Sequence, residues 1–241
     1  MKNLRMSKIS TKNILKKIFK SKSEKIELME IKGLKKLKFR ERNIFEEHDD
    51  HKHDEHKEHG HKEDKHDDHE GHAHGEYDPH IWLDPMNAKV ILNEMVEHLI
   101  ENDANNASKY KSNLKKALKD IDKLNADVKK ELSKSTASIV FHDAYQYFEE
   151  RYDVNILGAF TVNTDVMPGA EQLAEIREII EHDKVTCVFS EPQFNPDIIK
   201  AVAKDMNIKT GVVDPLGATL NPGKDLYFDL IKNMSASFKG C

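Results

Sequence analysis

Short apolar segments alternate with amphipathic segments throughout residues 137–237, and this alternation most limits the folds that the chain can adopt. Strands that alternate with helices in this way form βαβ units, in which successive strands are parallel. The sequence therefore predicts an α/β lobe over residues 136–241 with a four-stranded parallel sheet. The predicted strands cover 137–141, 154–160, 185–190 and 208–213, and the predicted helices cover about 143–151, 170–182, 196–206 and 222–237.

Two helical patterns precede this lobe. Apolar residues at helical spacing over 86–101 predict one packed helix after Asp84-Pro85. A second pattern repeats at steps of three and four, without Gly or Pro between 103 and 135, and predicts a long linker helix over 103–135. A two-stranded coiled coil is the alternative. Because the stripe is short and leads directly into the strand–helix series, we favour a helix that packs within its own chain.

The N-terminal part of the chain is less regular. Residues 1–25 are basic and are predicted to be a poorly ordered leader, in which no apolar stretch of signal-peptide length occurs. Apolar residues mixed with lysines over 26–40 predict one strand.

Histidine is concentrated in one segment. Over 46–76 the sequence is almost entirely His, Asp, Glu, Lys and Gly. Such a segment cannot bury enough apolar surface to offset its ordering entropy, so a disordered loop is predicted. Its composition indicates metal binding. Ten of the fourteen histidines of the chain lie in it: His48, His51, His53, His56, His59, His61, His66, His69, His72 and His74.

Composition and motifs exclude several classes of protein. The net charge of −5 does not suit a uniformly basic nucleic-acid-binding protein. No apolar run approaches the roughly 18 residues that a membrane-spanning helix needs. The sequence contains no HExxH, GxSxG, Walker or GxGxxG motif, so nothing in it favours an enzyme.

Metal-binding side chains follow three of the predicted strands. His142 and Asp143 end the first, Glu191 follows the third and Asp214 follows the fourth, while His80 precedes the helix at 86. Ligands of open parallel sheets bind beyond the carboxyl ends of the strands. Imidazole nitrogen together with carboxylate oxygen suits Zn²⁺. Taken singly, each residue also has an ordinary structural explanation, such as a helix N-cap for Asp143 and a turn for Asp214.

Four strings establish a resemblance to a known family. They are YDPHIWLDPMNAK (77–89), FHDAYQYFEERYDV (141–154), FSEPQFNPDIIKAVAK (189–204) and VVDPLG (212–217). Together with the His-rich loop directly before DPHIW, they resemble the zinc-specific substrate-binding proteins of bacterial ABC importers, the ZnuA family, over residues 26–241. The resemblance implies two parallel-sheet α/β lobes joined by a long rigid helix, with one zinc ion between them.

The resemblance also implies the metal ligands. These are His80 and His142, with Asp214 as a close carboxylate that reaches the ion directly or through water, and the loop histidines as auxiliary sites. Manganese-binding relatives have a carboxylate where this sequence has His142, and the nitrogen donor favours zinc. Family members carry further strands, helices and a zinc-ligating histidine before the equivalent of residue 26. The resemblance therefore implies an N-terminally truncated member, in which residues 26–102 form the remnant of an incomplete first lobe.

The two cysteines, Cys187 and Cys241, have no CxxC spacing, which excludes a zinc ribbon or a redox motif. The residues alone leave open a long-range disulfide or a buried thiol beside a free one. The resemblance implies a disulfide between the two cysteines and hence an oxidising compartment. The family is periplasmic, so we expect a periplasmic location although this sequence shows no export signal.

These observations predict a monomeric binding protein, not an enzyme, that binds Zn²⁺ and delivers it to the permease and ATPase of an ABC importer. An alternative is a transport-defective remnant whose His-rich loop acts only as a metal buffer. A third interpretation is a zinc hydrolase that uses Glu191 as a base.

Overall fold

The computed structural model describes residues 25–44, 76–132, 136–164, 168–204 and 206–241. Residues 1–24 and 45–75, which hold most of the predicted leader and all ten loop histidines, lie outside the described residues. Within the described ranges, no helix is long and apolar enough to cross a membrane. The helices there are α1 (Pro85–Asn102), α2 (Ala107–Glu131), α3 (Gln146–Tyr152), α4 (Ala170–His182), α5 (Asp197–Ala203) and α6 (Leu226–Lys239).

One four-stranded parallel sheet forms the centre of the described fold. Its strands are β1 (Ser138–His142), β2 (Ile156–Thr161), β3 (Cys187–Ser190) and β4 (Lys209–Val212), in the order β2-β1-β3-β4. The predicted α/β class and its four-stranded parallel sheet are confirmed. The strands start and end within a few residues of their predicted bounds. In β1, β2 and β3 the reason is a short, uninterrupted buried run, whereas β4 is largely exposed.

The strand order creates a crevice at one point of the sheet. The chain runs from β1 to β2 on one side and then crosses to β3 on the other side of β1. Such a reversal separates the two connections above the carboxyl ends of the strands, which is where ligands bind in open α/β sheets. His142 ends β1 and Glu191 directly follows β3, so both residues lie at this crevice.

The long helix packs within its own chain, as the sequence predicted. The side chains of Ile121, Leu124 and Val128 are buried, and α2 packs against α1 and α6. Near its end, Glu131 accepts hydrogen bonds from the Ser235 hydroxyl (3.0 Å) and from Lys239 (3.2 Å) of α6. The helix is shorter than the predicted 103–135, since a separate 3₁₀ turn precedes it and it ends at residue 131.

The helix predicted over 86–101 is α1. The Asp84 carboxylate accepts a hydrogen bond from the amide of Met86 (2.8 Å), and Pro85 occupies the first helical position. An aspartate N-cap followed by proline is a strong start signal because the side chain satisfies an amide that the helix itself cannot. Arg151 holds the same carboxylate through two hydrogen bonds of 2.7 and 2.6 Å.

The prediction of a strand over residues 26–40 is wrong. The described residues there contain a 3₁₀ turn, Leu28–Glu30, and an isolated bridge at Lys38, but no strand. Side chains take up the backbone groups that a neighbouring strand would pair. The amide and carbonyl of Lys35 bond to the Asn87 side chain, and the amide of Leu37 bonds to the Tyr147 hydroxyl.

Residues 35–44, which we call the strap, continue to the outer side of β2. The amide of Ala159 donates to the carbonyl of Asn43 (2.8 Å), and the Asn43 side chain donates to the carbonyl of Phe160 (2.8 Å). Ile44 forms an antiparallel bridge with Gly158. The strap therefore adds a very short antiparallel segment to a sheet that is otherwise parallel.

Candidate metal centre

His80 is held by a carboxylate two residues before it. Asp78 is fully buried, and its Oδ1 atom accepts from the backbone amide of His80 (2.9 Å) and lies 2.6 Å from Nδ1 of the ring. The following 3₁₀ turn, Ile81–Leu83, fixes the segment because both of its end residues are buried. The Nδ1 atom of His80 is thus occupied, and Nε2 is the nitrogen left for a ligand.

His142 has the same arrangement on a different element. It ends β1, and its Nδ1 atom lies 2.6 Å from Oε1 of Glu191, whose side chain is 1% exposed. A carboxylate on one ring nitrogen of a ligating histidine fixes the tautomer and directs the other nitrogen to the metal. Glu191 occupies the position of such a partner, because its carboxylate lies at Nδ1 and leaves Nε2 for the metal. This placement does not suit the base of the zinc hydrolase interpretation.

The two rings lie side by side. The ring centroids of His80 and His142 are 5.4 Å apart, with an edge-to-face inclination of 60°. Both side chains remain partly exposed, at 17% and 13%. Two imidazoles that face one space, each with its Nδ1 atom engaged by a buried carboxylate, form an incomplete site for a borderline divalent ion.

Aromatic side chains surround this pair of imidazoles. Trp82 lies 5.3 Å from His80, and Phe194 and Tyr145 lie 5.8 and 6.3 Å from His142, between ring centroids. Burial, followed by the nearby carboxylates of Glu191 and Asp214, raises the pKa of the Tyr145 hydroxyl well above its usual value. Tyr145 is therefore a neutral neighbour of the site.

Asp214, which follows β4, is held by hydrogen bonds within its own turn. Its Oδ1 atom accepts from the side-chain amide of Gln193 (2.7 Å) and from the backbone amides of Leu216 (3.1 Å) and Gly217 (3.0 Å). This is the turn-forming role that the sequence left open for an aspartate before proline. Within the described ranges, no three His, Cys, Asp or Glu side chains converge as a metal-binding group. The structure thus brings His80 and His142 together, but it does not join Asp214 to them as a third converging ligand.

Asp143 is not the N-cap that the sequence allowed. Helix α3 begins at Gln146 without a side-chain cap, and the Asp143 carboxylate accepts from Arg40 at 3.0 Å. The other arm of Arg40 donates to Glu149 at 2.8 Å. Burial raises the pKa of both carboxyl groups, that of Glu149 to about 7, because the opposing effect of Arg40 is smaller.

The remaining histidines and the cysteines are as follows. His98 lies 3.2 Å from Glu94 within α1, and His182 is exposed in the last turn of α4. The ten loop histidines lie outside the described residues. A disulfide joins Cys187 to Cys241, with 5.8 Å between the Cα atoms, as the resemblance implies.

Sequence reasoning missed Asp78 and Tyr147. Asp78 lies within the DPHIW motif, and an aspartate two residues before a histidine can bond to the amide of that histidine in a local turn. Tyr147 supports Asp78 through its hydroxyl, which donates to the carbonyl of Asp78 at 2.8 Å. No local sequence signal connects these two residues, because 69 positions separate them.

Comparison with known proteins gives a consistent result. The family model for the periplasmic zinc-uptake complex component A, ZnuA, matches residues 8–241. The high-affinity zinc uptake system protein ZnuA of Brucella abortus is 47% identical over 229 residues, which cover 90% of this chain and 68% of that protein. The protein of the same name from Yersinia pestis is 39% identical over 171 residues, covering 70% of this chain and 54% of that protein.

Solved structures share the fold. A crystal structure of ZnuA is 25% identical and superimposes with a TM-score of 0.61, covering 70% of this chain and 61% of the other. The chain thus spans between about half and about two thirds of the length of these relatives. Because these relatives are named for zinc uptake, they favour the uptake interpretation over a metal buffer and over an enzyme.

Proposed function

The chain belongs to the ZnuA family of periplasmic zinc-uptake components, and on that premise we propose that it captures Zn²⁺ between His80 and His142 and delivers it to an ABC importer. The observation that carries the proposal is the pair of adjacent imidazoles, each held at Nδ1 by a buried carboxylate. Nitrogen donors fixed in this way match the preference of zinc. The partners are the permease and ATPase of the importer.

Asp214 is the proposed third donor. Its Oδ1 atom is engaged in its turn, and its Oδ2 atom is buried without a hydrogen-bond partner among the described residues. A buried acceptor with no partner is unfavourable unless an ion or a water satisfies it. Asp214 then reaches the zinc ion directly or through water, and the ten histidines of the loop bind further zinc as auxiliary ligands.

The periplasm is the proposed location, and the Cys187–Cys241 disulfide supports it. Disulfides persist in oxidising compartments and are rare in a reducing cytosol. Zinc binding is then expected to weaken as the pH falls, because only neutral imidazole coordinates a metal and protonation competes with the ion.

Zinc titration tests the proposal. Affinity is measured by competition with a chromogenic chelator, both for the full chain and for a variant lacking residues 47–75, which removes the loop histidines. One tight site is expected in both proteins. His142→Ala should weaken that site at least a hundredfold, while His182→Ala, at an exposed histidine remote from the pair, should leave it unchanged.

Two results would overturn the proposal. Loss of all tight binding on deletion of the loop would assign zinc binding to the loop alone and favour the metal buffer. Equal affinity of the His142→Ala and His182→Ala variants would exclude the strand-end histidine as a ligand.

A further inference from the structure

The hydroxyl of Tyr147 lies at the junction of three chain segments. It accepts a hydrogen bond from the amide of Leu37 (3.0 Å) and lies 2.8 Å from the carbonyl oxygen of Asp78. Since the Leu37 group is a donor and the Asp78 group an acceptor, the phenolic proton must point to Asp78. The Tyr147 side chain is 1% exposed, so water does not compete for these bonds.

These contacts hold the peptide groups of Asp78 on both sides. Its carbonyl accepts from Tyr147, and its amide donates to the carbonyl of Leu37 (2.8 Å). The carboxylate of the same residue bonds to Nδ1 and to the backbone amide of His80. Asp78 therefore links the phenol of Tyr147, which bonds to its backbone, to the imidazole of His80, which bonds to its carboxylate.

Tyr147 also belongs to the element that carries the other histidine. It is the second residue of α3, and three residues separate the end of β1 at His142 from the start of that helix at Gln146. The backbone from His142 to Tyr147 is buried and short. One hydroxyl thus connects the segment of His80 to the segment of His142.

We infer that Tyr147 is a positioning residue for zinc: through Asp78, its hydroxyl fixes the ring of His80 relative to that of His142. This inference rests on the proposed function. A metal site binds tightly when its ligands are already held in place, since the cost of ordering them is then small, and the partners behind ligating histidines typically change metal affinity 10- to 100-fold.

The test compares two tyrosines of the same helix. Tyr147→Phe removes the hydroxyl and keeps the ring. Tyr152→Phe is the matched control, because Tyr152 is also buried but its hydroxyl has no hydrogen-bond partner among the described residues. In the full chain we expect Tyr147→Phe to weaken tight zinc binding at least tenfold and Tyr152→Phe to change it less than twofold, measured by chelator competition.

A double-mutant cycle separates positioning from a general loss of stability. Asp78→Asn removes the carboxylate that carries the effect to His80. If Tyr147 acts through Asp78, Tyr147→Phe should weaken zinc binding much less in the Asp78→Asn background than in the wild-type background. Equal effects in the two backgrounds would overturn the inference, as would a wild-type affinity in Tyr147→Phe itself.

A measurement on the wild-type protein covers the case in which Tyr147→Phe does not fold. Coupling is reciprocal, so if these hydrogen bonds favour zinc binding, zinc must stabilise them. Zinc should therefore slow the hydrogen exchange of the Leu37 and Asp78 amides more than that of amides in α4. Unchanged protection of Leu37 and Asp78 in zinc-loaded protein would overturn the inference. Failure of wild-type protein to bind zinc would instead overturn the proposed function.

Discussion

The indole N–H of Trp82 donates to the main-chain carbonyl oxygen of Pro215 over 2.9 Å. This bond joins the segment of His80 to the turn of Asp214, two motifs that are 133 positions apart in the sequence. The carbonyl of Trp82 in turn accepts from the hydroxyl of Tyr227 at 3.0 Å. Trp82 is therefore held by one hydrogen bond from its side chain and one to its backbone, and its ring lies beside the ring of His80.

Zinc binding should therefore change the tryptophan fluorescence. Trp82 is the single tryptophan of the sequence, and its ring centroid lies 5.3 Å from that of His80. A metal ion at His80 alters the charge next to the indole, so the intensity of tryptophan emission should change during a zinc titration. The change should saturate at one zinc ion per chain. The His80→Ala variant should lose this signal even if its loop histidines still bind zinc. A saturable signal in that variant would contradict the placement of zinc at His80.

Glu191→Gln should weaken zinc binding 10- to 100-fold. The change keeps the size of the side chain but removes the carboxylate that lies 2.6 Å from Nδ1 of His142, so the ring loses its fixed tautomer. Glu178→Gln, at an exposed position of α4, is the matched control. Calorimetric zinc titration of both variants measures the effect. An unchanged affinity in Glu191→Gln would show that this carboxylate does not act on the metal site.

Glu149 should make the zinc-free protein less stable as the pH rises. Burial raises its pKa in the folded state to about 7, from an ordinary value of 4.5. Its contribution to folding stability is thus fully present below about pH 4.5 and is lost as the pH rises through 7. Each pKa unit corresponds to about 1.4 kcal/mol, so the loss is on the order of 3 kcal/mol.

The Glu149→Gln variant tests this prediction, because glutamine cannot ionise. The difference in free energy of unfolding, variant minus wild type, should become more positive between pH 5 and pH 8, as measured by urea denaturation of metal-free protein. Glu175→Gln, at an exposed residue, serves as the control and should show no such trend. A difference that stays constant with pH would mean that Glu149 ionises normally in the folded protein.

Gly158→Ala should release the strap from the sheet. A methyl group at this position would lie 2.6 Å from the carbonyl oxygen of Asn43, a backbone atom that cannot move independently. We expect a loss of about 1–3 kcal/mol in the free energy of unfolding, the usual cost of inserting a methyl group into a packed site. Gly169→Ala is the matched control, since among the described residues no atom beyond its chain neighbours lies within 4 Å of its added carbon. Similar unfolding midpoints for the two variants would contradict the contact.

Cys241→Ser should destabilise the oxidised protein by about 4 kcal/mol, the chain-entropy value for a bond between residues 54 positions apart. Urea denaturation measures the change. Wild-type protein treated with a reductant should unfold at the same urea concentration as the variant. If oxidised wild type and variant coincide instead, the disulfide contributes nothing to stability.

The sheet could be predicted from the sequence, and the strap could not. Runs such as residues 156–161 are buried along their whole length, so their apolar character alone identifies them as strands. Residues 26–40 mix apolar residues with lysines in short strand-like pieces, but the Asn87 and Tyr147 side chains take up backbone groups that a strand would use. That competition depends on contacts between distant residues, which local periodicity does not report.

Part of the candidate metal centre could also be predicted from the sequence, because strand topology places some of its residues. His142 and Glu191 follow parallel strands, so the topology alone places them at one edge of the sheet. His80 came from the family resemblance and from its place before a helix. The resemblance implied Asp214 as well, yet its position in the turn, where Gln193 and two backbone amides hold it, depends on side-chain contacts that spacing does not reveal.

The strap also determines how the sheet meets other molecules. An unpaired outer strand offers its amides and carbonyls to any extended chain, and proteins that leave such a strand open tend to polymerise through it. Here Asn43 and Ile44 bond to the middle of β2, at Gly158 and Ala159. A second molecule therefore finds no continuous row of backbone groups on that side, and strand-to-strand aggregation through β2 is blocked by the chain itself.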